Sequence, residues 1–266
     1  MKNLKKILAV LLALVIAGVV FAACSKAADN GDASESQSNA TQEQLVMATN
    51  AEFPPYEYHD GDKIVGIDAE VAQAIADKLG MELVIEDVAF DSIIPGVQAG
   101  KYDMGMAGMT VTDERLEYVN FSTSYAKGVQ SVILPENSTI ASIDDIVGKK
   151  VGVQTSTTGD IYASAPVEEG GFGEENVTRY DNGAVAVQAL LEGKVDCVII
   201  DNEPAKSYVA ANEGLKILDT AYTEEEYAIC FNKDDAELQA KVNGALEELI
   251  ADGTLQSIVD KYIPAE

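Results

Sequence analysis

Residues that commonly bind metals are scarce in this sequence of 266 residues. It contains one histidine and three cysteines, and no two cysteines form a Cys-x-x-Cys pair. The paired His and Cys ligands of a metal site are therefore missing, and we predict neither a metal nor a cofactor. Cys197 and Cys230 both lie in apolar, strand-like runs, VDCVII and YAICF. We interpret them as buried free thiols, although an oxidising compartment would also permit a disulfide.

Long apolar runs are equally rare, since only residues 7–20 form one. Three lysines within the first six residues precede this run, and Phe-Ala-Ala-Cys follows it at residues 21–24. A basic start, an apolar middle and small residues before a cleavage point are typical of a secretory signal peptide. A cysteine directly after them resembles the lipobox of bacterial lipoproteins. We therefore predict a signal peptide at residues 1–23 and a lipid on Cys24; the alternative, an uncleaved membrane anchor, would need a longer run.

Residues 24–44 are rich in Ser, Ala, Asn, Gln, Asp and Gly and contain no aromatic residue. Such a segment cannot bury enough apolar surface to order itself, so we predict a flexible tether. A lipid followed by a tether predicts a domain held at the outer face of the cell membrane, or on the periplasmic side where there is an outer membrane.

Basic residues are few, because 18 Lys and Arg side chains stand against 45 Asp and Glu. Cleavage after residue 23 would leave 15 basic residues and a side-chain net charge of about −30. This charge argues against binding to nucleic acid, whose phosphates would be repelled. It also argues against a polybasic membrane-binding surface. We interpret the acidic excess as a solvated surface.

From Leu45 onward the hydrophobic pattern alternates between strands and helices. Strands are predicted in LVMAT, ELVIEDV, YDMGMAG, GVQSVIL, KVGVQ, NVTRYD, VDCVII, LKIL and YAICFNK. Helices are predicted in GIDAEVAQAIADKLGM, FDSIIPGVQAGK, DERLEYV, SIDDIVGK, TGDIYASA, GAVAVQALLEGK, NEPAKSYVAAN and the C-terminal stretch broken at Gly253. DTAYTEEE is interpreted as a loop. Alternating strands and helices predict an α/β fold with mostly parallel sheets covered by helices on both faces.

The alternating pattern runs through two successive series, which predicts two lobes. We expect the chain to cross between them near residues 127–130 and 226–229. Lobe 1 would then contain residues 45–127 and 229–266, and lobe 2 residues 128–228.

Polar or aromatic residues follow four of the predicted strands. They lie at the carboxyl ends of the strands, where ligands of open α/β sheets usually bind. Phe53 and Tyr56 follow the first strand, Thr110 and Arg115 follow YDMGMAG, a Thr- and Ser-rich run follows KVGV, and Asp201 follows VDCVII. Arginine pairs with a carboxylate through two parallel hydrogen bonds, and aspartate is a suitable partner for an ammonium group. An α-amino acid carries a carboxylate and an ammonium group close together, so these residues predict an α-amino acid as the ligand.

Each of these residues also has a simpler explanation. Thr112 is predicted to cap the helix that begins DER, with Asp113 and Glu114 favoured by the helix dipole. Arg115 alone could be a surface ion-pair residue, and Asp201 alone could be another cap. Only the convergence of all of them on strand ends favours a binding site.

The residues from ATNAEFPPYEY through MTVTDERLEYVNFS resemble the polar amino-acid-binding proteins of ABC importers, which are the family 3 extracellular solute-binding proteins. VGVQTSTTG, GKVDCVIIDNE and NGALEELIADGTLQSIVDKY match later parts of the same family, so the resemblance covers residues 45–264. It implies a periplasmic-binding-protein-like fold of type II, in which two α/β lobes joined by two hinge strands close on the ligand. It also implies a monomer that delivers its ligand to a membrane permease.

The resemblance implies a role for each candidate residue. Arg115, with the region of Gly108 and Thr110, would hold the ligand's α-carboxylate, and Asp201 would hold its ammonium group. The complete set of expected ligand-binding residues is Asn50, Glu52, Phe53, Tyr56, Ala107, Gly108, Thr110, Arg115, Gln154, Thr157, Thr158 and Asp201.

Two positions depart from the pattern of the family and leave the ligand's side chain open. Asn50 stands where binders of basic amino acids and glutamine often have Asp, and Gln154 stands where glutamine-binding relatives have Lys. Glu52 could replace the missing acid and favour arginine or lysine, or it could point into solvent.

Three functions compete at this stage. The first is a binding lipoprotein that captures a polar or basic amino acid and carries out no chemistry. The second is an exported dehydratase or lyase on the same scaffold, which would need a general acid or base. The only histidine, His59, lies in the turn-like stretch YHDGDK. The third is a sensory domain that reports its ligand through a partner receptor.

Overall fold

A computed structural model describes residues 42–264. The predicted signal peptide, Cys24 and nearly all of the predicted tether lie outside the described residues. The strands are β1 (Gln44–Thr49), β2 (Glu52–Phe53), β3 (Glu57–Asp60), β4 (Lys63–Val65), β5 (Glu82–Asp87), β6 (Met104–Gly105), β7 (Val119–Phe121), β8 (Ala126–Pro135), β9 (Val151–Gln154), β10 (Val177–Tyr180), β11 (Cys197–Asp201), β12 (Leu215–Ile217), β13 (Thr223–Tyr227) and β14 (Cys230–Asn232). The helices are α1 (Ile67–Leu79), α2 (Ile93–Gln98), α3 (Asp113–Tyr118), α4 (Thr158–Ser164), α5 (Gly183–Leu191), α6 (Asn202–Ala211), α7 (Ala236–Ala251) and α8 (Thr254–Tyr262), with short 3-10 turns at Phe90–Ser92, Ile143–Ile146, Val167–Glu169 and Glu174–Asn176.

The first lobe is built on a sheet with the order β5-β1-β6-β14-β7. Strands β5, β1 and β6 are parallel, whereas β14 runs antiparallel to both β6 and β7. Helices α1, α7 and α8 pack through a shared core that includes Leu45, Ile75, Phe231 and Leu246. Gly80 ends α1 in the left-handed conformation that glycine adopts without steric cost.

The second lobe is built on a sheet with the order β10-β9-β11-β8-β12, to which β13 adds by pairing with β8. Strands β10, β9 and β11 are parallel, and β8 runs antiparallel to β11, β12 and β13. Apolar cores cover both faces of this sheet, one around Val153 and Phe172 and the other around Leu190 and Ile200.

The expectation of mostly parallel sheets is confirmed for four of the five strands of the first sheet and five of the six strands of the second, and in each sheet one strand runs against its neighbours. These strands are β14 and β8, and they adjoin the two places where the chain passes between lobes. Ala126 pairs with Tyr227 and Gln130 pairs with Thr223, so β8 and β13 lie side by side at the crossing. The hydrophobic pattern identifies strands but carries no information about their direction.

The interpretation of DTAYTEEE as a loop is wrong at its C-terminal end, where Thr223–Tyr227 forms β13. The small antiparallel sheet β2-β3-β4, which leads into α1, was also not predicted. Cys197 and Cys230 are buried free thiols, as predicted. Within residues 42–264 no helix combines the length and apolar character needed to cross a membrane.

Candidate ligand-binding site

A cavity of about 330 Å³ lies between the lobes, at the carboxyl ends of β1, β6, β9 and β11. This volume is all of the space between the lining atoms, including the part that is open to solvent. Its lining residues are Asn50, Phe53, Glu57, Phe90, Ala107, Gly108, Thr110, Arg115, Gln154, Thr157, Thr158 and Asp201. The structure therefore brings together all of the predicted site residues except Glu52 and Tyr56.

Arg115 projects from the first turn of α3 and is only 6% exposed. The turn is held by Thr112, whose hydroxyl accepts a hydrogen bond of 3.1 Å from the Arg115 backbone N–H, so the predicted cap is present. One guanidinium nitrogen donates to the backbone oxygen of Thr110 at 2.7 Å. The guanidinium also lies over the ring of Phe90, with its carbon 5.4 Å from the ring centroid. These contacts fix the orientation of the guanidinium at the cavity, and its remaining N–H groups can bind an anion.

Asp201 lies at the end of β11 and accepts hydrogen bonds from the Tyr227 hydroxyl and from Gln130 Nε2, the latter at 2.7 Å. Burial and, to a smaller extent, the nearby Glu225 carboxyl raise the pKa of Asp201 to about 7. Glu225 accepts hydrogen bonds from the Gln130 amide and from the Thr110 hydroxyl, each 3.0 Å long. The Asp201 carboxyl would therefore ionise most readily beside a positive charge.

Gly108 allows the cavity wall to form where β6 turns toward α3. Its backbone has a φ of +52°, which lies in the left-handed region. A Cβ atom at this position would lie 2.7 Å from the ring of Phe53. Gly108 therefore lets the aromatic ring and the backbone approach each other closely.

Several hydrogen bonds join the lobes across the cleft. Gln154 Nε2 donates to Asn50 Oδ1 at 2.9 Å. The second terminal nitrogen of the Arg115 guanidinium donates to the Ser156 carbonyl oxygen at 3.0 Å. The Tyr208 hydroxyl donates to the Glu52 carbonyl oxygen at 2.7 Å. The lobes are therefore in contact, and residues of both enclose the cavity.

Glu52 does not line the cavity, which corrects one sequence-based expectation. Its side chain is exposed, and only its backbone oxygen takes part in a contact between the lobes. Side chains alternate along a strand, so in β2 the inward position belongs to Phe53 and the outward one to Glu52. The structure favours the solvent-facing alternative for this carboxylate.

Tyr56 corrects a second expectation. It is buried behind the wall and does not face the cavity, because its ring packs against Phe53 at 5.8 Å and against Tyr227 at 5.1 Å between centroids. Tyr56 supports the lining ring of Phe53 rather than contacting the cavity.

The sequence analysis missed Glu57 and Phe90 as lining residues. Phe90 follows the end of β5, so the rule that polar and aromatic residues gather at strand ends could have identified it. Glu57 begins β3, a four-residue strand in the small sheet that was not predicted. The hydrophobic pattern gave no reason to distinguish Glu57 from an exposed acid, although Glu57 is only 1% exposed in the structure.

The site has far more buried carboxyl groups than buried basic groups. Among the described residues Arg115 is the only buried basic side chain. The carboxyl groups of Glu57, Asp68, Asp201 and Glu225 are all buried at the cavity or directly behind its wall. Buried charges are costly unless they are paired, so this arrangement favours a ligand with net positive charge.

Comparisons with known proteins agree with this geometry. A family model described as bacterial extracellular solute-binding proteins, family 3, matches residues 45–265. The chain is 34% identical over 259 residues to an arginine-binding extracellular protein of Bacillus subtilis, covering 96% of this chain and 98% of that protein.

Two solved structures of the same kind are similar throughout the described residues. An ancestral arginine-binding protein bound to arginine is 39% identical, with a TM-score of 0.77 and coverage of 84% of this chain and 99% of that one. The arginine-, lysine-, histidine-binding protein of Geobacillus stearothermophilus is 31% identical, with a TM-score of 0.78 and coverage of 84% and 96%.

Proposed function

This chain belongs to family 3 of the bacterial extracellular solute-binding proteins, and we propose that it captures a basic α-amino acid between its lobes and delivers it to the permease of an ABC importer. The observation that carries the choice of a basic ligand is the excess of buried carboxyl groups over the single buried guanidinium. The arginine bound by the ancestral protein, and the basic amino acids that the Bacillus subtilis and Geobacillus stearothermophilus proteins are described as binding, support the same choice.

Different residues of the cavity lining bind different groups of the ligand. Arg115 binds the α-carboxylate, and Asp201 binds the α-ammonium group, because each presents a buried group of opposite charge at the cavity. The Thr110 hydroxyl already donates to Glu225, so this residue serves the site mainly through its backbone. Thr158 lines the cavity from the second lobe.

The side chain of the ligand extends toward Glu57, with aromatic rings beside it. Glu57 takes the place that Glu52 was expected to fill, because Glu57 lines the cavity and Glu52 does not. Phe53 and Phe90 provide apolar surface for the methylene groups of an arginine or lysine side chain. Asn50 and Gln154 bond to each other across the cleft and close the wall between the lobes.

The N-terminal segment completes the proposal. Residues 1–23 act as a signal peptide, a lipid on Cys24 anchors the exported protein, and the residues from 24 up to the start of β1 form the tether. The lobes divide into residues 45–127 with 229–266, and residues 128–228. The basic start, apolar run and FAAC motif support export, and the family description supports an extracytoplasmic location.

A binding role without catalysis fits the position of the only histidine. His59 contacts Asp87 at 2.9 Å, with about half of its side chain exposed, and neither residue lines the cavity. It is therefore poorly placed to act as a general acid or base on a bound ligand.

A thermal-shift panel of L-amino acids tests the proposal on the chain without residues 1–23, freed of bound ligand. We expect arginine or lysine to raise the unfolding temperature, with a stabilisation of about 4 kcal/mol at a thousandfold excess over its Kd. L-Citrulline, which has the shape of arginine without its side-chain charge, is the matched control and should give a much smaller shift. A larger shift with citrulline or glutamine than with arginine and lysine contradicts a basic ligand, and no shift with any amino acid contradicts the proposed function.

A further inference from the structure

Glu57 and Asp68 form a buried pair of carboxyl groups behind and beside the cavity. Glu57 is on β3 and Asp68 is in the first turn of α1, and the two carboxyls are within hydrogen-bonding reach of each other. Asp68 Oδ2 accepts from the Gly108 backbone N–H at 2.9 Å and from the Tyr125 hydroxyl at 2.8 Å. Asp68 Oδ1 and Glu57 Oε2 have no hydrogen-bond partner among the described residues. Since Glu57 lines the cavity, one of these carboxyls faces the ligand.

The groups around Glu57 are carboxyls and phenols, so they would not neutralise a negative charge on Glu57 in addition to one on Asp68. The carboxyls of Asp68, Asp201 and Asp87 lie near enough to disfavour an ionised Glu57, and each one raises its pKa. Phenol groups surround it as well, from Tyr56, Tyr125 and Tyr208. The buried guanidinium of Arg115 is bound instead to the carbonyl oxygens of Thr110 and Ser156.

Two adjacent buried carboxyls of this kind hold one proton between them. Burial raises the pKa of Glu57 well above its ordinary value, and the neighbouring Asp68 carboxyl raises it further. Burial also raises the pKa of Asp68, to about 6, against the opposing hydrogen bonds from Gly108 and Tyr125. In the ligand-free protein the pair therefore still holds a proton near neutral pH.

We propose that the Glu57–Asp68 pair exchanges its proton for the positive charge of the ligand's side chain, so that binding of a basic amino acid releases one proton to solvent. The guanidinium or ammonium group of the ligand enters beside Glu57, and the shared proton leaves to water. The total charge inside the cavity then changes little on binding. This inference rests on the proposed function, because it requires a ligand with a cationic side chain.

The exchange makes the affinity for a basic amino acid depend on pH. In the complex the nearby cation favours the ionised carboxyl, so the pair loses its proton at a lower pH than in the free protein. Between these two values the affinity rises with pH, by at most about tenfold per pH unit for one released proton. A ligand with a neutral side chain leaves the proton in place and shows no such rise from this pair.

Titration calorimetry with L-arginine and L-citrulline on the wild-type protein tests the inference. Each ligand is titrated at pH 7.5 in phosphate and in Tris, buffers whose heats of ionisation differ, so that the difference in heat counts the protons released. Asp201 meets the α-ammonium group of both ligands and contributes equally to both counts. We expect arginine to release up to one proton more than citrulline.

If citrulline binds too weakly to titrate, the proton count for arginine is compared between the wild-type protein and the variant Glu57→Gln. An excess of protons with arginine supports the exchange. Equal proton counts for arginine and citrulline overturn it and leave the proposed function intact. If neither ligand binds, the basic-ligand proposal fails and the exchange fails with it.

The variant Glu57→Gln locates the released proton. Its amide can donate to Asp68 but cannot titrate, so we expect the excess proton to disappear and arginine to bind at least tenfold more weakly. Glu52→Gln makes the same change on an exposed neighbour and should retain the excess. Release that persists in Glu57→Gln would assign the proton to another group and overturn the role of the pair. If Glu57→Gln does not fold, the comparison of arginine with citrulline on the wild-type protein still decides.

Discussion

At the scale of the residue, Arg115 has two tasks that a lysine could not perform together. Its planar guanidinium donates to the Thr110 carbonyl oxygen of its own lobe and to the Ser156 carbonyl oxygen of the other. It keeps further N–H groups for an anion, since a guanidinium has five. The same side chain therefore holds the wall of the cavity and, in the proposed function, also binds the ligand's carboxylate.

Replacing Arg115 with alanine should nearly abolish binding of the amino acid identified in the thermal-shift panel. The ligand carboxylate would be buried without a partner, a loss of roughly 3–5 kcal/mol. Arg115→Lys should recover only a small part, because an ammonium group cannot replace the fork of donors. Titration calorimetry measures both variants, and Lys149→Ala, which removes an exposed cation, is the control. Affinity within tenfold of wild type in Arg115→Ala would show that the carboxylate binds elsewhere.

At the scale of the element, short helices present the site residues and depend on their caps. The hydroxyl of Thr112 caps α3, and that of Thr157 caps α4 by accepting from the Asp160 backbone N–H. Helix α3 has only six residues, so a single capping hydrogen bond is a large part of its local stability.

The substitution Thr112→Ala should destabilise the protein by about 1 kcal/mol, the usual cost of a lost N-cap. It should also weaken ligand binding, because the backbone N–H that Thr112 holds belongs to Arg115. Urea denaturation and calorimetry measure the two effects. Thr112→Ser keeps a capping hydroxyl and should behave like wild type; equal losses in both variants would mean that the methyl group, and not the cap, is responsible.

The elements also separate what the sequence could predict from what it could not. Long helices such as α1 and α7 were predicted because their apolar residues recur at helical spacing over several turns. Strand β13 was missed because its residues, Thr-Glu-Glu-Glu-Tyr, look like a solvated turn; in the sheet, Glu225 points inward while Glu224 and Glu226 remain exposed. The burial of the Glu225 carboxyl depends on hydrogen bonds that Thr110 and Gln130 donate to it, and both residues are distant in sequence.

The candidate site could be predicted in outline for a related reason. Residues at the ends of long strands, such as Asn50 and Asp201, converge because parallel strands end at one edge of a sheet. Glu57 could not be found in this way, since it lies on a short strand of a separate small sheet. Whether an acid such as Glu52 or Glu57 faces inward depends on the register of that sheet, which the hydrophobic pattern does not specify.

At the scale of the whole molecule, the buried carboxyls oppose folding more strongly as they ionise. The pKa of Asp201 is raised to about 7 and that of Asp68 to about 6, in both cases mainly by burial. A carboxyl with a raised pKa binds its proton more tightly in the folded state than in the unfolded state. Its stabilising contribution is complete below the unfolded value of about 4 and is lost as pH rises through the folded value.

We therefore expect the ligand-free protein to lose at least 1–2 kcal/mol of its free energy of unfolding between pH 5 and pH 8. Acidic groups that are paired with lysine, such as Glu70 with Lys261, have lowered pKa values and destabilise the fold only at lower pH. Urea denaturation across this pH range measures the change. A saturating basic ligand should reduce the loss, and a stability that rises from pH 5 to pH 8 without ligand would contradict the effect of the buried carboxyls.

The strand order of the two sheets has a consequence for how the chain reaches its native state after export. All strands of the second sheet come from one continuous stretch, residues 126–227, so this sheet can assemble as soon as that stretch has crossed the membrane. The first sheet needs β14 between β6 and β7, although β14 lies more than a hundred residues later in the chain. Long-range pairing of this kind is slow. During translocation, the half of the molecule that emerges first therefore completes its fold last.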